Sequence, residues 1–156
     1  NREEFLKGTK LENFIVSQED GWNVAIDSIV GLNEGRIGHL PMLDLAPRKS
    51  DEALASVLKR IGEIIKPHFG GGFVLETNKS YHYLGDSIFA NDRYAEFLGR
   101  ALISSIVIKT PDEVPNIHEH IADYRYVGYA LMRNSSGLRI TARGDKQFLP
   151  KVIARV

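Results

Sequence analysis

The segment SDEALASVLKRIGEIIKP, residues 50–67, constrains the fold more than any other part of the chain. Ser50 precedes two acidic residues, as is typical of a helix N-terminus, and Pro67 predicts the end of the helix. The apolar residues recur at the spacing of one helix face: Leu54, Val57, Leu58, Ile61, Ile64 and Ile65. A helix with a single apolar stripe has to bury that stripe against another layer, so the rest of the chain must supply one.

Strand patterns lie on both sides of this helix. Residues 14–30 predict two strands joined at a Glu-Asp-Gly turn, and residues 36–46 predict a third strand ending in Asp44, which together would form an antiparallel meander. Residues 71–86 predict a strand or hairpin that breaks at Asn-Lys, and residues 137–156 predict a strand, a turn and a strand. These segments supply the sheet that the helix requires.

A second amphipathic helix is predicted over residues 91–104, whereas residues 121–134 fit a strand or a helix equally well. The order of elements indicates an α+β fold in a single domain, residues 1–156, with one largely antiparallel sheet and two main helices on one face. The other face of such a sheet is free for a ligand. Because Asp44 and His82 each follow an apolar strand core, we expect them to meet on that face.

Composition sets limits on the classes of function. The chain has 156 residues and no cysteine, and 20 basic side chains balance 20 acidic ones, which argues against a protein that grips nucleic acid over its whole surface. Residues 133–156 nevertheless carry six basic side chains and one acidic one, so an anionic ligand would be drawn there. No run approaches the ~20 apolar residues of a membrane span, and we expect a cytoplasmic protein.

Two acids, Asp44 and Asp123, are candidates for chemistry because apolar residues flank each of them. Two carboxylates that the fold brings together suit Mg²⁺ or Mn²⁺, which prefer oxygen ligands. A structural role is the alternative for both. Asp44 can hydrogen-bond the backbone at a strand end, and Asp123 can cap a helix over residues 124–133.

Ser80 and His82 form a second candidate. Two residues apart on an extended strand, their side chains point the same way, so a hydroxyl and an imidazole could contact one phosphate, with Lys79 adding charge. The alternative is a histidine that is only packed and hydrogen-bonded.

Other motifs carry less information. His118 and His120 have a spacing that can bind zinc, but no third ligand is near them in the sequence, so they indicate a surface segment. The tripeptide RGD at 143–145 is short enough to occur by chance and does not indicate an adhesion function. The FGGG at 69–72 lacks the lysine and the helix of a phosphate-binding loop, so it predicts a turn.

Taken together, four segments resemble the archaeo-eukaryotic primase superfamily over roughly residues 12–150. MLDLA matches the acidic strand-end motif, ETNKSYHYL the Ser-x-His motif, IADYRYVGYALMRN the apolar-Asp motif and GLRITARGDK the late basic strand. The family pattern has two acids at the first motif, whereas Asp44 is followed by Leu45 and Ala46. The resemblance is therefore to divergent branches with a single first-motif Asp.

The resemblance implies a palm-like, RRM-related sheet and a nucleotidyltransferase that makes or extends DNA or RNA primers in replication. It implies that Asp44 and Asp123 are catalytic and bind Mg²⁺ or Mn²⁺, and that Ser80 and His82 bind the phosphates of a nucleoside triphosphate. It places Arg139 and Lys146 near the triphosphate or a DNA or RNA template. In two-metal nucleotidyl transfer, the metal ions stabilise both the attacking and the leaving oxygen. The absence of the second acid of the first motif therefore implies a weaker metal site.

Three hypotheses follow from these patterns. The first is an active primase-like domain, and the second is an inactive module of the same fold that binds nucleotide or nucleic acid as a sensor or scaffold. The third is a small structural domain whose polar residues are caps and turns. Metal-dependent nucleotide binding separates the first two hypotheses from the third, and primer extension separates the first from the second.

Overall fold

The computed structural model describes residues 24–104, 121–140 and 149–156. It has eight strands in these ranges: β1 (Ala25–Asp27), β2 (Ile29–Gly31), β3 (Ile37–His39), β4 (Met42–Leu45), β5 (Gly72–Glu76), β6 (Tyr81–Gly85), β7 (Gly137–Arg139) and β8 (Lys151–Arg155). The α-helices in the same ranges are α1 (Asp51–Arg60), α2 (Lys66–Phe69), α3 (Asn91–Ser104) and α4 (Tyr124–Arg133). The α+β class predicted from the sequence is confirmed.

Helix α1 begins as the sequence predicts but does not end at Pro67. The Ser50 side chain accepts a hydrogen bond from the Ala53 backbone N–H and so caps the helix. After α1 the chain widens into a π-helical turn, Ile61–Ile65, and continues as α2 through Pro67. A proline ring clashes with the carbonyl four residues earlier in a regular α-helix, and the wider turn relieves that clash. The helix ends instead at Gly70, whose φ of 84° favours glycine.

The main sheet has the strand order β4-β6-β5-β8, and its neighbouring strands are antiparallel. Strands β5 and β6 form a hairpin around the predicted break at Asn78 and Lys79. Strand β8 pairs with β5 along the other edge. The C-terminal segment is therefore part of the main sheet, as its strand pattern predicts.

One face of this sheet carries the hydrophobic core. Strand residues such as Leu43, Val74 and Tyr83 are buried there together with the apolar stripes of the helices. The helical members of the cluster are Val57, Ile61, Ile65, Phe69, Tyr94, Phe97, Leu98, Ala101, Val127 and Ala130. Because alternate residues of a strand point to opposite faces, the residues between these core positions face away from the helices.

The segment 25–39 does not form one continuous meander with the main sheet. Strands β2 and β3 pair with each other through a tight turn, whereas β1 pairs with β7. The predicted third strand is also broken, since β3 ends at His39 and β4 starts at Met42, with Leu40 and Pro41 between them. Proline lacks the N–H that a continuous ladder needs, which explains the interruption.

The ambiguous segment is resolved as a helix. Residues Tyr124–Arg133 form α4, which the Asp123 side chain caps and which packs Val127 and Ala130 into the core. Within residues 24–104, 121–140 and 149–156 there are thus three substantial helices, whereas two were expected.

Some predictions fall outside the described residues. These are the Glu-Asp-Gly turn near residue 20, the His118–His120 segment, the RGD and Lys146. Within the described ranges, no helix has the length and apolar character needed to cross a membrane.

Candidate functional site

The face of the main sheet opposite the helical core brings Asp44 and His82 together, and we call it the open face although Met42 and His82 on it are buried. The two residues are cross-strand partners in the β4–β6 register, and His82 Nε2 lies 3.7 Å from Asp44 Oδ1. Their neighbours Leu43, Leu45 and Tyr83 point into the core, so the alternation of the strands directs Asp44 and His82 to the side without helices. The expected proximity of these two residues is confirmed.

Asp123 lies on the other side of Asp44. The segment before α4 runs antiparallel to β4, with Leu45 opposite Ala122, and the Asp123 backbone N–H donates to the Asp44 carbonyl at 2.8 Å. This register sets Asp123 opposite Asp44. Asp123, Asp44 and His82 therefore occupy adjacent positions in one row across three chain segments, and we call these three residues the polar row.

The Asp123 side chain is engaged in capping α4. Its Oδ1 accepts hydrogen bonds from the backbone N–H groups of Arg125 and Tyr126, and its Oδ2 accepts one from Arg125 Nη2 at 3.1 Å. Burial raises the pKa of this carboxyl, but the hydrogen bonds and charge of Arg125 outweigh burial and leave the pKa below its usual value. The helix cap that the sequence left open as an alternative role for Asp123 is therefore present. A metal ion bound to Asp123 would have to share the carboxylate with this cap and with Arg125.

Ser80 lies in the turn between β5 and β6 and not in the strand itself. Its backbone N–H donates to Thr77 Oγ1, and that hydroxyl in turn donates to the Ser80 carbonyl at 3.0 Å. The two side-chain hydroxyls are 3.3 Å apart. Thr77, which is buried, therefore fixes the position of Ser80 just before His82. No local signal in the sequence distinguishes Thr77, because a threonine at the end of a strand beside a turn is common.

A basic cavity opens at the end of the sheet next to this turn. It has a volume of about 570 Å³, and Arg48, Lys49, Asn78 and Lys79 line it. Lys49 forms an ion pair with Glu76 at the rim of this cavity. The sequence motif around His82 includes Lys79 but not Arg48 or Lys49, which lie more than 25 residues away along the chain.

The two basic residues predicted near the triphosphate or template, Arg139 and Lys146, lie in different parts of the chain, and the structure describes only Arg139. Arg139 is half-buried at the end of β7, opposite Ala25, and β7 contacts β4. It thus lies on a strand that borders the strand of Asp44. Lys146 falls in the range 141–148, which the structure does not describe.

The donor set is small for a metal ion. Within the described ranges, no three His, Asp or Glu side chains are grouped so that they could hold one. Asp44 offers a partly exposed carboxylate and Asp123 a shared one. Mg²⁺ is commonly held by one or two carboxylates together with substrate phosphates and water. These two residues fit an ion that arrives with a nucleotide, and they do not form a site of protein ligands alone.

Sequence comparison agrees with the resemblance of the four motifs. The chain is an α+β unit with a polar row on the open face of an antiparallel sheet, and a family model described as AEP-like, archaeo-eukaryotic primase 1D-like, matches residues 3–151. The protein therefore belongs to the archaeo-eukaryotic primase 1D-like family. Searches of curated proteins and of solved structures each returned no match.

Proposed function

We propose that the polar row and the adjoining turn bind a nucleoside triphosphate with Mg²⁺ or Mn²⁺, in a primase-like nucleotidyltransferase that makes or extends DNA or RNA primers. The observation that carries the proposal is the adjacency of Asp123, Asp44 and His82 on the one face of the main sheet that the helices leave open. Family membership adds independent support.

Each residue has a role that its position allows. Asp44 and Asp123 would hold the ion, which supplies charge neutralisation to the phosphates when it is bound. His82, 93% buried yet facing Asp44, would donate a hydrogen bond to a phosphate oxygen. Ser80 would donate a second hydrogen bond from a turn that Thr77 holds in place.

The basic cavity fits the far end of such a ligand. Arg48 and Lys79 lie at the end of the sheet where the turn that carries Ser80 projects, so their charges favour a polyphosphate there. Arg139 is proposed to act near the triphosphate or the template strand, and Lys146 is assigned the same role from the resemblance alone.

A second candidate is a catalytically inactive module that binds nucleotide or nucleic acid as a sensor or scaffold. Two observations favour it. Ala46 occupies the position where the family pattern has a second acid, and the Asp123 carboxylate is already bound by a cap and by Arg125. A branch with a single first-motif Asp would accordingly bind nucleotide with little or no transfer activity.

Thermal unfolding in the presence of ATP or dATP, with and without Mg²⁺ or Mn²⁺, tests the binding proposal. A ligand that binds only the native state raises the melting temperature by mass action. We expect a rise that needs both nucleotide and metal and that is lost in His82→Ala. No rise in any combination would overturn the proposal.

Primer extension then decides between the two candidates. An active enzyme lengthens a labelled primer on a template with Mn²⁺, and the product disappears in Asp44→Ala. Nucleotide binding without any extension supports the inactive module. His68→Ala is the control for both assays, because His68 is exposed on the helix side of the molecule and lines the groove between helices.

A further inference from the structure

Helix α4 has a wide exposed face that carries aromatic and basic side chains. Tyr124 and Tyr129 are each 59% exposed, and Arg125 and Arg133 are exposed beside them. At 1.5 Å per residue the two tyrosines are separated by about 7.5 Å along the helix axis. Contiguous exposed apolar surface marks interaction sites in many proteins, and two exposed tyrosines on one short helix make this face a candidate for such a site.

The charge of this face has one sign. Helix α4 contains no acidic residue, and the Asp123 carboxylate at its start is paired with Arg125. Arg133 lies over the ring of Tyr129, with its guanidinium carbon 5.7 Å from the ring centroid. A small cavity of about 170 Å³ opens next to these two side chains. The face therefore suits an anionic ligand that has flat rings.

Gly128 lies on the exposed arc between the two tyrosines, which are about 140° apart around the helix axis. A Cβ atom added there would meet no heavy atom within 4 Å outside the local helix backbone, so close packing within the protein does not require glycine at this position. A glycine inside a helix is unfavourable relative to alanine, and a close approach by a ligand is one reason to retain it. The dip that it leaves is flanked by Tyr124, Arg125 and Tyr129.

We propose that this face of α4 is a binding surface for single-stranded nucleic acid, with bases stacking on Tyr129 and Tyr124 and phosphates contacting Arg133. Stacking on aromatic rings with nearby arginine is how proteins bind single strands with little sequence preference. Because Asp123 of the polar row caps the start of α4, a strand bound along α4 would lead away from the polar row. The identification of that strand as a template rests on the proposed function, whereas binding itself does not.

Fluorescence anisotropy with labelled oligo-dT and oligo-rU, measured over a series of salt concentrations, tests the surface. We expect Tyr129→Ala to weaken binding about tenfold and Tyr129→Phe to bind like the unchanged protein, because the ring is kept. Arg133→Ala should reduce the slope of log affinity against log salt by about 0.7, the contribution of one phosphate contact on a single strand. No binding at low salt, or equal losses in Tyr129→Phe and Tyr129→Ala, would overturn the proposal.

A matched pair of glycine substitutions sharpens the test. Gly128→Ala and Gly99→Ala each add a methyl group to a helix at a position with open space, and both should raise the melting temperature. Gly128→Ala should weaken oligonucleotide binding and Gly99→Ala, on helix α3, should not. Equal effects of the two variants on binding would contradict a contact at Gly128.

Two further variants separate this proposal from the nucleotide site. Asp44→Ala and His82→Ala should lose the nucleotide-dependent rise in melting temperature and still bind the oligonucleotide. Tyr129→Ala should show the reverse behaviour. If nucleotide binding is absent but the oligonucleotide binds in a Tyr129-dependent way, the proposed function fails and the surface on α4 stands.

Discussion

Asp44 and Asp123 are adjacent in the fold, yet the regions that hold them use their carboxylates differently. At the N-terminus of α4, Asp123 accepts two backbone hydrogen bonds and pairs with Arg125. On β4, an edge strand of the main sheet, Asp44 points away from the hydrophobic core, beside His82, and lies at no helix end. The Asp123 carboxylate stabilises the start of a helix, whereas the Asp44 carboxylate lies beside His82, where we propose that a ligand binds. Two aspartates that are both flanked by apolar residues in the sequence thus lead to two different predictions.

The largest expected effect is that of Asp44→Ala on ligand binding. We expect the metal-dependent rise in melting temperature with nucleotide to disappear, whereas the free energy of unfolding should fall by only about 1 kcal/mol, because Asp44 also pairs with His82. Thermal unfolding with ATP and Mn²⁺ and urea titration without ligand measure the two quantities. If ATP and Mn²⁺ raised the melting temperature of Asp44→Ala as much as that of the unchanged protein, Asp44 would not be a ligand-binding residue and would not differ from Asp123 in function.

The next effect is that of Asp123→Ala on stability. Removing a helix N-cap costs about 1 kcal/mol, and Asp123→Asn should recover most of this loss because asparagine is an equally good cap. Ser50→Ala, which removes the cap of α1, is the matched control with a similar loss. Urea denaturation of the three variants measures these differences. If Asp123→Ala were as stable as the unchanged protein, the helix cap would not stabilise the fold and could not be the role of the Asp123 carboxylate.

A smaller effect is expected from acid. Because the folded-state pKa of Asp123 lies below its ordinary value of 3.8, its contribution to stability is complete above that value and is lost as the pH falls through the folded pKa. The difference in unfolding free energy between the unchanged protein and Asp123→Asn should therefore shrink with acidification below about pH 4. Urea titrations at a series of pH values measure it, and a difference that grows with acid would contradict the lowered pKa.

Local signals in the sequence predict the parts of the fold that depend on neighbouring residues. Ser50 and the stripe behind it predict α1, and the strand patterns around His82 predict the β5–β6 hairpin. Pro67 misled the prediction of the helix end, because a π-helical turn before it absorbs the ring. Local signals at residues 121–134 fit two structures, and the tertiary packing of Val127 and Ala130 decides for the helix.

The candidate site is harder to predict because strand pairing is not local. The sequence places Asp44 and His82 at the ends of strand cores, which is enough to expect that they meet. It does not show that Asp123 pairs beside Asp44, since their segments are separated by almost 80 residues. It also does not show that Arg48 joins Lys79 in one cavity. Contacts of this kind depend on the order and register of strands, which composition and periodicity do not determine.

Mn²⁺-induced broadening of histidine ring signals in NMR tests the central claim, namely that the polar row is the nucleotide and metal site. The paramagnetic effect falls steeply with distance, so it reports where the ion is bound. With ATP and substoichiometric Mn²⁺, we expect the His82 ring signals to broaden while those of His68, on the helix side, stay sharp. Equal broadening of both histidines, or none at His82, would contradict the assignment of the polar row as the site.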